Sequence, residues 1–304
     1  MLGEYKKSIN YAEIFLTDRC NLRCVYCMPE DKIYNSDIIN DTLLFDDYKF
    51  IIKGLSQVGI NKIDFTGGEP LLYPQLVDLI RYAKYECNID DLSITTNGIG
   101  LHEIAYELKK SGLSSVNISL DSLKSYKYKA ITRGANLNDV LKSINRCLDV
   151  GIKVNINCVI IKTFNDDEIY DFIDMINYYP VDVRFIELLP FGESEYLYEN
   201  GYFNLTNFIN KTDLLYKIQD EGQLNTKLYK AKYSKGRVGI ITNVSSNICN
   251  RIIITPYGNV KLEVHSNKEV DIKHYLNKPI IFKEVLKDII NKIIDNNELL
   301  EMEF

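Results

Sequence analysis

The chain has 304 residues, 46% of them hydrophobic and 26% charged, with a formal net charge of −6. Such a chain buries a substantial core and is long enough for one large domain or a domain with an extension. Its negative balance, without any run of clustered Lys and Arg, argues against general nucleic-acid binding, which needs such clusters to displace counterions from phosphate. Small molecules or proteins are the expected partners. No apolar stretch approaches the ~20 residues that cross a bilayer, and the opening MLGEYKKSINYAEIF lacks the apolar run of a signal peptide. A cytoplasmic location away from membranes is expected.

In chain order, residues 13–17 read as a strand, 45–59 as a helix with a Gly stop, and 62–66 as a strand that enters the glycine turn of TGGEP. Residues 74–86 read as a helix, 92–96 as a strand, 102–112 as a helix and 115–121 as a strand. The alternation continues with helix 137–151, strand 153–161, helix 166–177 and strand 181–189. Short strands separated by helices of about a dozen residues predict parallel βαβ units. About six of them predict an α/β fold with an open or partial barrel rather than a closed eightfold one. After Pro190 the rhythm changes. Residues 191–204 read as a loop, 205–218 as a helix, 235–244 and 250–264 as a β-rich part, and 281–300 as an amphipathic helix. The expected domains are a core over 1–190 and an extension over 191–304 that packs on it.

The chain carries seven cysteines, an odd set. Cys87, Cys147, Cys158 and Cys249 are scattered and do not suggest a disulfide framework. Cys20, Cys24 and Cys27 form CxxxCxxC in TDRCNLRCVYCMPE, just after the first strand, where the loops of parallel α/β barrels carry their chemistry. Three thiolates on one loop can hold three irons of a [4Fe–4S] cube and leave the fourth iron without a protein ligand. A structural zinc site would want a fourth ligand nearby, and none of His102, His265 and His274 is close in sequence.

That motif, Tyr26 before its last Cys, GGEP after the second strand and SLDS after the fourth resemble the radical S-adenosylmethionine (SAM) superfamily. The resemblance implies a partial (β/α)6 TIM-like barrel, one [4Fe–4S] cluster on Cys20, Cys24 and Cys27, and SAM chelated at the vacant iron. It further implies reductive cleavage of SAM to a 5′-deoxyadenosyl radical that takes hydrogen from a small-molecule substrate. A reducing donor such as flavodoxin or ferredoxin would supply the electron. Tyr26, Gly67, Gly68, Glu69, Asn97, Ser119 and Leu189 would line the SAM site, the glycines because only residues without a side chain permit close backbone approach.

TGGEPLL, SITTNG, VNISLDSL, VDVRFIELLPFGE and GRVGIITNVS with CNR are further similar, in order and spacing, to the GTP 3′,8-cyclase family of molybdenum-cofactor biosynthesis. In that family three cysteines of the extension hold a second cluster that binds guanine. Here Cys249, followed by Asn250 and Arg251, matches one of them. The first is missing, and Glu263 stands at the third. One thiolate cannot hold a cube; a set of Cys249, Glu263 and His265, or no metal at all, remain the alternatives. The family's phosphate-binding cations are displaced as well: Glu13, Asp64, Asn155 and Ile253 stand where it has Arg, Arg, Lys and Arg. Carboxylates beside a triphosphate cost on the order of 1 kcal/mol per close pair even in water. The family's paired C-terminal glycines are absent from NELLEMEF.

These departures predict a substrate other than GTP bound in the family's manner, with GTP 3′,8-cyclase as the alternative and a non-catalytic Fe–S electron carrier as a further one. Glu13 and Asp64 favour a cationic or hydroxyl-rich substrate. Thr95, Asn155, Arg184, Cys249 and Arg251 complete the substrate candidates, and no residue is assigned a catalytic role.

Overall fold

The computed structural model describes residues 9–27, 42–190, 194–218, 226–242, 251–261 and 268–302. Six strands alternate with helices in chain order: β1 (Tyr11–Phe15), α1 (Phe45–Gln57), β2 (Lys62–Thr66), α2 (Leu76–Tyr85), β3 (Asp91–Thr96), α3 (Leu101–Lys110), β4 (Ser115–Ser119), α4 (Ser125–Thr132), α5 (Leu137–Asp149), β5 (Lys153–Ile160), α6 (Ile169–Tyr178) and β6 (Val181–Glu187). There follow α7 (Glu195–Gly201), α8 (Leu205–Ile209), β7 (Leu215–Lys217), β8 (Lys227–Ala231), β9 (Val238–Ile241), β10 (Ile252–Ile254), β11 (Asn259–Lys261), β12 (Glu269–Asp271) and α9 (Pro279–Met302).

The chain divides into two compact units. One comprises Met1–Asp18, Ser36–Ser93 and Asn247–Phe304; the other comprises Arg19–Asn35 and Ile94–Ser246. In the first, β1 pairs in parallel with β2 and with β10, and β10 continues antiparallel into β11 and β12. In the second, β4, β5, β6 and β9 run parallel and β9 continues antiparallel into β8 and β7. Strands of the residues beyond 190 therefore extend a sheet in each unit, at β1 and at β6.

Period-two patterning sets what each strand face carries. Ala12 and Ile14 of β1 are fully buried, as are Val116 and Ile118 of β4 and Val154 and Ile156 of β5, while the alternate positions include Glu13, Asn117, Ser119, Asn155 and Asn157. In the first unit α9 lies on α1. Phe282 enters a notch at Gly54, where an added Cβ would come within 2.5 Å of the ring, and the Phe50 and Phe282 rings sit 5.1 Å apart.

Three expectations need correction. Residues 191–204 are not all loop, because α7 forms at Glu195–Gly201. Residues 205–218 are not one helix: α8 ends at Ile209, and Leu215–Lys217 pairs antiparallel with β8, so strand pairing overrides a helical pattern interrupted by Asn210 and Asp213. The first strand starts two residues earlier and ends at Phe15. The sequence reading also missed α4, whose buried residues are only Tyr128, Ile131 and Thr132, too few to print an apolar stripe.

Candidate active site

The cysteine loop belongs to the second unit and is held from three directions. Val25 N–H donates to the Ile131 carbonyl at 3.0 Å, and Arg133 Nη1 donates to the Arg23 carbonyl at 2.9 Å from the end of α4. Tyr196 donates its hydroxyl to the Val25 carbonyl at 3.2 Å. Cys20, Cys24 and Cys27 are all free thiols. Burial pushes the Cys24 thiol far up, and the charges of Asp121, Cys27 and Cys20 push it further. Ionising three neighbouring thiols would set like charges against one another, and bound iron would relieve that repulsion, so the donor set fits a cluster. No group of three or more His, Cys, Asp or Glu among the described residues closes on one ion. Thiols that each take a separate iron of a cube need not converge on a point.

Tyr26 donates its hydroxyl to Asp121 Oδ2 at 2.7 Å. Burial first, then the Asp121 charge, holds the phenol well above its usual range. Burial likewise raises the Asp121 carboxyl to about 6 against the pull of Tyr26 and of Val159 N–H. Asn97 donates to Asn21 Oδ1 at 2.7 Å, and its own Oδ1 accepts from Ile99 N–H at 3.0 Å, so the amide braces the loop that follows Cys20. Ser119 ends β4, and Leu189 follows β6, its carbonyl accepting from the Ser194 hydroxyl.

A polar network runs along one face of β3, β4, β5 and β6. Arg184, which can only donate, gives Nη1 to Asn117 Oδ1 at 2.9 Å. That fixes the Asn117 amide, whose Nδ2 reaches Thr95 Oγ1 at 3.1 Å and whose Oδ1 also accepts from Asn155 Nδ2 at 3.0 Å. Asn155 is 3% exposed, and its Oδ1 and that of Asn157 are buried without a hydrogen-bond partner. Gly239 makes room for Arg184, since a Cβ there would lie 3.1 Å from Arg184 Cγ.

Gly67, Gly68 and Glu69 belong to the first unit. Gly67 adopts φ +142, and an added Cβ would come within 2.3 Å of the Thr17 carbonyl, which accepts from Gly68 N–H at 2.7 Å. Only glycine fits that crossing. Glu69 is 1% exposed and accepts from Leu71 N–H at 3.0 Å, capping the turn that Pro70 opens. In the same unit the register sets Glu13 beside Asp64 on one side and Ile253 on the other, so these three positions are direct neighbours on adjacent strands. Glu13 Oε2 accepts from Arg251 Nε at 2.7 Å. Asp64, 1% exposed, accepts from the Ser93 hydroxyl. Glu13, Arg251, Phe15, Tyr257 and Lys261 line a cavity of about 420 Å³. Cys249, Glu263 and His265 lie outside the described residues.

The structure thus gathers Cys20, Cys24, Cys27, Tyr26 and Asn97 at one loop, Thr95, Asn155 and Arg184 on one network, and Glu13, Asp64 and Arg251 around one strand register. Asn117 and Asp121 join these groups without having been singled out in the sequence. The N-x-S spacing in VNIS was the signal for Asn117, two polar side chains on one strand face at a period of two.

A parallel α/β scaffold with three free thiols on the loop after its first strand defines an iron–sulfur enzyme of the barrel-derived kind. A model of the radical SAM superfamily matches residues 14–176, and one for molybdenum cofactor synthesis C matches residues 181–299. The chain belongs to the radical SAM superfamily, within its GTP 3′,8-cyclase family. It is 42% identical over 308 residues to the GTP 3′,8-cyclase of Clostridium botulinum, covering 100% of this chain and 96% of that relative. To the GTP 3′,8-cyclase of Clostridium acetobutylicum it is 41% identical over 294 residues, 95% of this chain and 92% of the relative. Its fold is shared with Streptococcus suis SuiB bound to S-adenosylmethionine, with a TM-score of 0.58 at 17% identity over 88% of this chain and 62% of that one. SuiB bound to precursor peptide SuiA gives 0.62 at 16% identity over 91% and 65%. The chain spans less than two thirds of SuiB. It is a radical SAM enzyme, and a [4Fe–4S] cluster and SAM are its cofactors. No described helix is long and apolar enough to cross a membrane.

Proposed function

We propose that this radical SAM enzyme acts on a purine nucleotide, closing a ring within it as the name GTP 3′,8-cyclase describes for its relatives. The observation that carries this reading is identity of 42% sustained over 100% of the chain and 96% of the relative. When bound, the cluster and SAM supply a radical able to abstract hydrogen. Cys20, Cys24 and Cys27 would hold the cluster, and Tyr26, Gly67, Gly68, Glu69, Asn97, Ser119 and Leu189 are the residues proposed to contact SAM. Arg251 and Lys261 are the cations that the nucleotide's phosphates would meet in the cavity of the first unit. For that, Arg251 exchanges its bond to Glu13 for one to phosphate. A reducing protein such as a flavodoxin or ferredoxin delivers the electron. A second cluster in the extension lacks ligands, because Cys249 is the single cysteine after Cys158.

A second reading keeps the radical chemistry and changes the substrate to a neutral or cationic molecule rich in donors. It is favoured by the Glu13–Arg251 pair and by Asp64 at the neighbouring register position, whose carboxylates would repel phosphate oxygens and welcome N–H or O–H groups.

Anaerobically reconstituted protein incubated with GTP, SAM and dithionite separates the two. A cyclised nucleotide formed alongside 5′-deoxyadenosine supports the first. Release of 5′-deoxyadenosine with GTP left intact overturns it in favour of the second.

A further inference from the structure

Tyr26 reaches across 95 residues of sequence to Asp121, and the ring alone does not require that bond. Asp121 is 3% exposed, and every side of it is fixed. Its Oδ1 accepts from Val159 N–H at 2.8 Å, and its main-chain carbonyl accepts from Asn165 Nδ2 at 2.6 Å. Asn165 in turn donates to the Val159 carbonyl at 2.9 Å and accepts from Ile161 N–H at 2.7 Å. Asn165 is itself fully buried, so the ends of β4 and β5 are stitched together around one carboxylate. The remaining lone pairs of that carboxylate face the phenol of the cysteine loop.

The geometry points to Asp121 as a positioning residue for the cluster: through the Tyr26 hydroxyl it sets the orientation of the segment carrying Cys24 and Cys27. The ties from Ile131, Arg133 and Tyr196 run to or from the loop's main chain and fix its path, and Asn97 reaches the Asn21 side chain just after Cys20. The Asp121 tie ends on the side chain that lies between two of the thiol-bearing residues. It joins the motif SLDS to the motif CVYC, so the fourth strand takes part in holding the cluster as well as in ending with Ser119. Loss of one hydrogen bond to a buried carboxylate is expected to lower a rate that depends on the loop's geometry by about tenfold.

The inference rests on the assignment of Cys20, Cys24 and Cys27 as cluster ligands, and its test separates the two. Wild type, Tyr26→Phe, Asp121→Asn and the double variant are reconstituted anaerobically. Iron content, the electron paramagnetic resonance spectrum of the reduced cluster with and without SAM, its midpoint potential and 5′-deoxyadenosine formation are then measured. Each single variant should load iron as wild type does, shift the spectrum or the potential, and lose about tenfold in 5′-deoxyadenosine formation. The double variant should be no worse than the worse single one, because Tyr26→Phe removes the bond and Asp121→Asn weakens the same bond by taking away the acceptor's charge. A Tyr26→Phe protein with wild-type spectrum, potential and rate overturns the inference, as do losses that multiply in the double variant. Tyr26→Phe decides alone if Asp121→Asn fails to load iron. Wild-type protein that takes up no iron overturns the cluster assignment, and this inference with it.

Discussion

The polar strand faces of the two units handle their one guanidinium differently. In the second unit Arg184 donates to a neutral amide, Asn117. In the first unit Arg251 is matched by a carboxylate, Glu13, with Asp64 at the next register position. A neutral amide thus meets the guanidinium on one face and a carboxylate on the other. A half-buried cation already paired with a carboxylate offers little to a phosphate. The cysteine loop and the GGEP turn carry their motifs whole, whereas carboxylates stand side by side at Glu13 and Asp64 in the register of the first unit.

The largest effect is expected at the cofactor end. Cys24→Ala should abolish cluster loading and 5′-deoxyadenosine formation, read by iron analysis and chromatography; retained activity would remove the thiol loop from its place in the comparison. Gly67→Ala should cost about 2–4 kcal/mol of stability, because the new Cβ meets the Thr17 carbonyl at 2.3 Å and the backbone sits at φ +142. Urea unfolding midpoints measure it, and an unchanged midpoint would show that the crossing relaxes freely.

Next in size is the charge asymmetry itself. Glu13→Gln removes the partner of Arg251 and should tighten GTP binding roughly fivefold, about 1 kcal/mol, by equilibrium dialysis at low salt. If affinity is unchanged, the pair does not govern what the cavity accepts. The smallest effect is on the outer surface of the second unit. Hydrogen bonds from Lys124 and Lys127 hold the Asp167 carboxyl down to about 2. With an unfolded value of about 3.9, the stability this lends is complete above that value and is lost as pH falls through about 2. Because the side chain is 53% exposed, the amount stays below about 0.5 kcal/mol. Asp167→Ala and wild type should therefore differ slightly in denaturant midpoint near neutrality and converge in strong acid.

Much of this organisation was legible in the sequence. The six βα units and the cysteine motif follow from period and spacing, and the positions of Glu13, Asp64 and Ile253, aligned outward from neighbouring motifs, prove to be lateral neighbours in the register. What was not legible depends on tertiary partners. Residues 205–218 look helical in isolation, and only β8 turns Leu215–Lys217 into a strand. Asp121 sits inside SLDS but gives no hint of Tyr26, because the bond joins residues far apart in the chain. Asn117 looks like an ordinary strand polar residue until Arg184 orients its amide.

The notch at Gly54 bears on how the outer and inner layers of the first unit can be uncoupled. Phe282 is the key that seats the last helix there, against Gly54 and the Phe50 ring. Shortening that ring would loosen the outer coat while leaving the Glu13–Arg251 chemistry in place, so that heat resistance and ligand preference become independently adjustable properties of the same scaffold.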